Sequence, residues 1–136
     1  MPLFGSQSPI ALYPDGMAGT VLNGEQPAAG SKSLEFAIHG GGDMGHAPRA
    51  IAIQVYAPAG APGANWGSLQ ESIDDTDANF AILQVSQSTA PSTLTTNFAG
   101  TAVSETYHAL MYGRMGRILV NSQPSQPVTV KVLVTG

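Results

Sequence analysis

The residues best suited to chemistry fall in a few short segments. His39-Gly40-Gly41-Gly42 has the composition of an oxyanion loop, in which glycine amides stabilise the negative oxygen of an acyl-transfer intermediate. Such a loop works beside a Gly-x-Ser-x-Gly nucleophile turn on an α/β sheet, which this chain lacks, so the segment reads as a turn. His39, Asp43 and His46 can offer three ligands to a divalent metal. Their spacing fits no helical face, and the glycines between them preorganise nothing, which favours a solvated polar loop. Asp75-Thr76-Asp77-Ala78-Asn79 opens like a calcium loop. Phe80 then stands where Gly is required and Ser86 where the bidentate Glu belongs, so an EF-hand is excluded. Asp74, Asp75 and Asp77 remain three carboxylates on one loop, able to chelate a hard cation or to stay hydrated. No cofactor is expected.

Glu35 and Glu105 both fall on expected strands, where two carboxylates facing one another can perform acid–base hydrolysis. Placement on solvent faces opposite the apolar residues is the preferred reading. His108 has no Ser or Cys nucleophile pattern pointing to it and reads as structural. Together these give no catalytic signature, and no enzyme is expected. Tyr107, Tyr112, Arg114 and Arg117 cluster in sequence, and two Arg near aromatics suit a protein interface. Phe4, Ile10, Leu12 and Tyr13 lie in a Pro/Gly-punctuated arm, which either docks on a neighbour or pairs with its own body. Trp66, the only Trp, either anchors a partner or caps one end of the fold.

The elements that must position these residues are strands. Residues 1–33 are expected as an N-terminal arm with short edge strands at 10–13 and 20–22. Residues 34–136 are expected as the body. Leu34, Phe36 and Ile38 alternate with polar or small residues, as do Ile51, Ile53 and Val55, and Val128, Val130, Val132 and Val134. Residues 80–87 read as one further strand. Residues 101–111 read as a long strand whose hairpin partner is 117–121. Residues 58–79 and 87–100 read as long connections, the first with one or two helical turns at 69–75 capped by Asn65 or Ser68. The expected fold is all-β: a single antiparallel β-sandwich or jelly roll.

Composition narrows the role. Charged residues are 10% of the 136, against roughly 25% on average, and the net charge is −4. Five dispersed cations cannot form a phosphate-neutralising face, so no direct nucleic-acid partner is expected. No apolar run approaches membrane-spanning length, and the N-terminal residues have no basic region before an apolar stretch, so neither a span nor a signal peptide is expected. With no Cys there are no disulfides and no thiolate ligands. An exterior of Ser, Thr, Asn, Gln and backbone is cheaper to desolvate than a charged one, which suits a protein docked against others.

Length, absence of Cys, few charges, Ala/Gly/Ser/Thr richness, a Pro/Gly arm and the Val-rich terminal strand give the chain a resemblance to tailed-phage capsid cement or decoration proteins of the jelly-roll type, such as that of short-tailed Bordetella phage. The resemblance implies a virion structural protein on the outer capsid surface, made in the host cytoplasm. It implies a homodimer at capsid two-fold axes, with the major capsid protein as partner. Expected contact residues are Phe4, Ile10, Tyr13, Trp66, Tyr112, Arg114 and Arg117. The competing readings are a carbohydrate- or ligand-binding β-sandwich module and a phage tail or fibre component.

Overall fold

The clearest alternations in the sequence become the centre of the larger sheet. In the computed structural model, which describes residues 9–14, 16–39, 48–74 and 76–136, Ile51, Ile53 and Val55 are buried while the alternating Gln54 and Tyr56 are exposed. The four valines from Val128 to Val134 are buried, with Lys131 exposed between them. Successive strand side chains point to opposite faces, so a period of two with β-branched residues makes a strand with one buried face. Phe4, Asp43, His46 and Asp75 lie outside the described residues.

The strands are β1 (Ile10–Leu12), β2 (Gly19–Glu25), β3 (Phe36–Ile38), β4 (Arg49–Tyr56), β5 (Gly67–Ser72), β6 (Ala81–Leu83), β7 (Val85–Gln87), β8 (Ala90–Thr95), β9 (Ser104–Met111), β10 (Met115–Val120) and β11 (Val128–Val134). One sheet has the order β1-β3-β10-β5-β6, the other β2-β11-β4-β9-β7-β8. The pairings are nested: β2 with β11, β3 with β10, β4 with β9, β5 with β6, all antiparallel. This is a long hairpin rolled up so that successive pairs fall on alternate sheets, which is jelly-roll connectivity. β1 extends the smaller sheet through a parallel pairing with β3, and the β7–β8 hairpin extends the larger one. The all-β sandwich expected from sequence is therefore the fold. No helix among the described residues is long and apolar enough to cross a membrane.

The two sheets close on one core that includes Phe36, Ile51, Ile53, Trp66, Leu69, Phe98, Tyr107, Ile118 and Val130. Removing each such side chain from water contributes roughly 1.5–3 kcal/mol before entropy is subtracted. Gly116 faces this core directly opposite Phe36, whose ring occupies the space a Cβ would need. The smaller sheet is also covered outside. A 3-10 turn at Asp77–Asn79, followed by Phe80, folds back over β3 and β10, so Phe80 packs with Ala37 and Met115.

Several expectations about elements are corrected. β9 and β10 are not a hairpin: β9 pairs with β4 and β7, β10 with β3 and β5, and residues 112–114 carry the chain from one sheet to the other. The helical turns expected at 69–75 are not found at residues 69–74, because 67–72 are β5, paired on both sides. The 87–100 connection contains β8. Residues 80–87 are two strands in different sheets, with the switch at Gln84. β1 and β2 lie at sheet edges and bury Leu12, Val21 and Leu22 in the common core, so this part of the arm pairs with its own body.

Candidate functional site

β9 begins with a buried carboxylate. Glu105 has the same strand parity as Tyr107, Ala109 and Met111, so it points inward with them and is 4% exposed. The preferred solvent-face reading for Glu105 is thus overturned. Its Oε1 accepts from Tyr107 Oη at 2.6 Å and from the Gly100 amide at 2.9 Å. Its Oε2 accepts from the Thr101 amide at 3.2 Å and from Gln87 Nε2 at 3.3 Å. The Ala99 amide donates to Tyr107 Oη at 2.7 Å. Three consecutive amides, 99 to 101, thereby converge on two side chains of one strand, a concave amide nest filled from within the chain. Gly100 turns the backbone there with φ +66, and the Gly63 carbonyl lies where a Cβ would go. Phe98 is held between Trp66 and Tyr107, with ring centroids 5.5 and 4.8 Å away. Burial, then the bond to Glu105, pushes the Tyr107 phenol well above its usual range. The Glu105 carboxylate, filled with donors, and the Tyr107 hydroxyl together hold the 99–101 loop in place.

Trp66 is 0% exposed, so it cannot anchor a partner and instead closes one end of the core. Arg117 is likewise buried, at 4%. Its Nε donates to Gln70 Oε1 at 2.8 Å, its Nη1 to Asp77 Oδ1 at 2.7 Å, and its guanidinium lies 3.9 Å from the Phe80 ring centroid. It also approaches Glu35 Oε2 at 4.0 Å, so Glu35 faces a cation rather than Glu105. Both residues are corrected from contact residues to internal fasteners.

The acidic loop is internally engaged as well. Asp74 accepts from the Thr76 amide at 2.9 Å and from Asn79 Nδ2 at 3.2 Å, which together hold its carboxyl below the usual range. The hydrogen bond and charge of Arg117, then the charge of Lys32, hold Asp77 low. Among the described residues no three His, Cys, Asp or Glu are grouped to hold a metal ion. His39 stacks on Tyr13 with centroids 5.7 Å apart. His108 points outward and bonds Ser88 Oγ through Nε2 at 2.9 Å, an exposed pair on the outer face of the larger sheet.

The other expected contact residues do converge. Tyr13 follows β1, Arg114 precedes β10 with its carbonyl accepting from the Ile38 amide, and the Tyr112 and Gly113 amides donate to Glu71 Oε1. Met115 is registered with Ser72, which puts Ile73 at the same end of the sandwich. Tyr13 (54% exposed), Ile73 (79%) and Tyr112 (70%) thus share one end with exposed Arg114. Beside them lies an open hollow of about 520 Å³ lined by Glu71, Ile73, Asn79, Ala81 and Tyr112. Ile10 is half-buried against the core. A second open groove, of about 490 Å³, runs between β8 and the 95–99 segment and is lined by Gln84, Gln87, Thr93, Thr95, Asn97 and Tyr107, among others. Sequence reasoning missed this groove, because β8 shows no alternation to mark it as a strand. No known family model, curated protein or solved structure matches the chain.

Proposed function

We propose that this chain is a virion structural protein that decorates the outer surface of an icosahedral capsid. As a homodimer, without catalysis, it cements seams between major capsid subunits. The observation that carries the reading is the chemistry of the exterior. Of only five basic and nine acidic side chains, Arg117 and Glu105 are buried, while Tyr13, Met17, Tyr56, Ile73, Ile82, Leu94, Leu110 and Tyr112 are exposed. Neutral polar and apolar surface is covered at lower desolvation cost than charged surface, so neighbours can seat on it. A protein that binds only the assembled, expanded shell stabilises that state by mass action, and many copies on one lattice multiply the effect. The negative net charge suits a capsid exterior better than contact with packaged DNA.

Co-sedimentation with empty expanded shells and with unassembled capsid subunits tests the reading. Selective binding to shells is expected; equal binding to free subunits, or none to shells, overturns it. A carbohydrate-binding module is the second reading, favoured by the uncharged amide and hydroxyl lining of the 490 Å³ groove. Saturable binding of a neutral oligosaccharide in calorimetry would replace the first reading with the second.

A further inference from the structure

An Asn side chain can react with its own main chain, because the next amide nitrogen is one five-membered ring away from its Cγ. The following residue decides access: a side chain there crowds the nitrogen, and Gly has none. The five Asn residues are followed by Gly24, Trp66, Phe80, Phe98 and Ser122, so Asn23 alone has an open neighbour. The fold sharpens the difference. The side chains of Asn79, Asn97 and Asn121 are hydrogen-bonded, whereas the exposed Asn23 carboxamide bonds to no described residue.

β2 is an edge strand, and between Leu22 and Glu25 it has two residues, Asn23 and Gly24, where β11 has Thr129 alone. This is a bulge, with Gly24 at φ +63 and nothing within 4 Å of the place a Cβ would take. The Gly24 amide donates to a side chain, Thr129 Oγ1, at 2.9 Å. The Asn23 amide donates to Glu25 Oε1 at 3.0 Å.

We propose that Asn23-Gly24 is a self-modification site, that Thr129 restrains it, and that its reaction loosens β2. The Gly24 nitrogen bonds to Asn23 Cγ, and its proton passes through solvent to Nδ2. The Cγ–Nδ2 bond breaks and ammonia leaves. The succinimide so formed takes up one water at either ring carbonyl, which breaks one C–N bond and leaves aspartate or isoaspartate at position 23. Water is the only co-reactant, so the site stands independently of the decoration reading. Ring closure requires the bond between Asn23 Cα and its carbonyl carbon to turn out of the extended form. By holding the Gly24 N–H, the Thr129 hydroxyl opposes that local opening. Both products set a carboxylate beside Glu25, and isoaspartate adds a methylene to the main chain, so pairing with β11 weakens.

The test ages the full chain in mildly alkaline buffer and reads its peptides by mass spectrometry, scoring isoaspartate with an isoaspartyl methyltransferase. Asn23 is expected to gain the mass of an NH2-to-OH exchange before any other Asn, and to do so faster in the denatured chain. Thr129→Val, which keeps the shape, is expected to react about three- to tenfold faster than the native chain, while Thr129→Ser, which keeps the hydroxyl, matches it. Asn23→Gln, whose ring would be one atom larger, is expected to stay unmodified at that position. Hydrogen exchange at residues 20–25 is expected to be faster in the isoaspartate fraction than in fresh protein. Earlier conversion at another Asn overturns the site. A folded Thr129→Val that reacts at the native rate overturns the restraint. If that variant loses its near-ultraviolet circular dichroism, equal rates in native and denatured chains overturn it instead. Unchanged exchange in the isoaspartate fraction overturns the loosening.

Discussion

Tyr107 stays protonated because burial disfavours the phenolate and its hydroxyl donates to Glu105. Its folded-state proton affinity exceeds that of the unfolded chain, so its contribution to stability is complete below pH about 10 and is lost as pH rises beyond that. Thermal melts between neutral pH and pH 11 are expected to show a fall in Tm that begins near pH 10. In Tyr107→Phe the starting Tm is lower, because Glu105 and the Ala99 amide lose a partner, and the alkaline fall is shallower. An equally steep fall in the variant would mean that another group controls alkaline unfolding. This residue pair was within reach of the sequence. Glu105 shares parity with Tyr107, Ala109 and Met111, and parity on a strand fixes the face. Nothing in the chemistry of Trp66 or Arg117 alone reveals whether the side chain lies inside, since an aromatic or a guanidinium serves an interface or an interior equally well.

At the scale of elements, Arg117 decides whether the 76–80 segment covers the smaller sheet. It joins β10 to Gln70 of β5, to Asp77 and to the face of Phe80. Arg117→Ala is expected to destabilise the fold by about 1–3 kcal/mol, mainly through lost packing and an unpaired Gln70. The Asp77 side chain is 71% exposed, so its freed charge returns to water and adds little. Denaturant melts measure the loss, and hydrogen exchange should show residues 76–80 opening first; an unchanged midpoint would refute the fastening role. The same cover explains which strands were legible. β4, β9 and β11 have one wet face and alternate plainly. β5 is buried almost throughout, with Arg117 bonded to Gln70 and Asp74 to Ser72, and a strand without alternation cannot be told from other buried segments by periodicity. β8 fails for the opposite reason, being exposed on both faces. The 101–121 stretch looked like a hairpin because local pattern records strands but not the sheet each one joins.

At the scale of the whole molecule, the scarcity of charge sets how association responds to salt. Contacts between charged faces weaken as ions screen them, whereas neutral contacts do not. Shell binding measured between about 50 and about 500 mM salt is expected to vary less than about threefold. A steep decline would place the contact on Arg114 and the few remaining charges instead of on uncharged surface.

The nested pairing of strands has a consequence during synthesis. β2 finds its partner in β11, β3 its antiparallel partner in β10 and β4 its partners in β9 and β11, so these pairings wait while the second half is translated. Closure across such separations is slow, on the order of milliseconds to seconds, and it is complete only when residues 128–134 have left the ribosome. Until then the nascent polypeptide exposes neutral β-prone stretches that are open to mispairing.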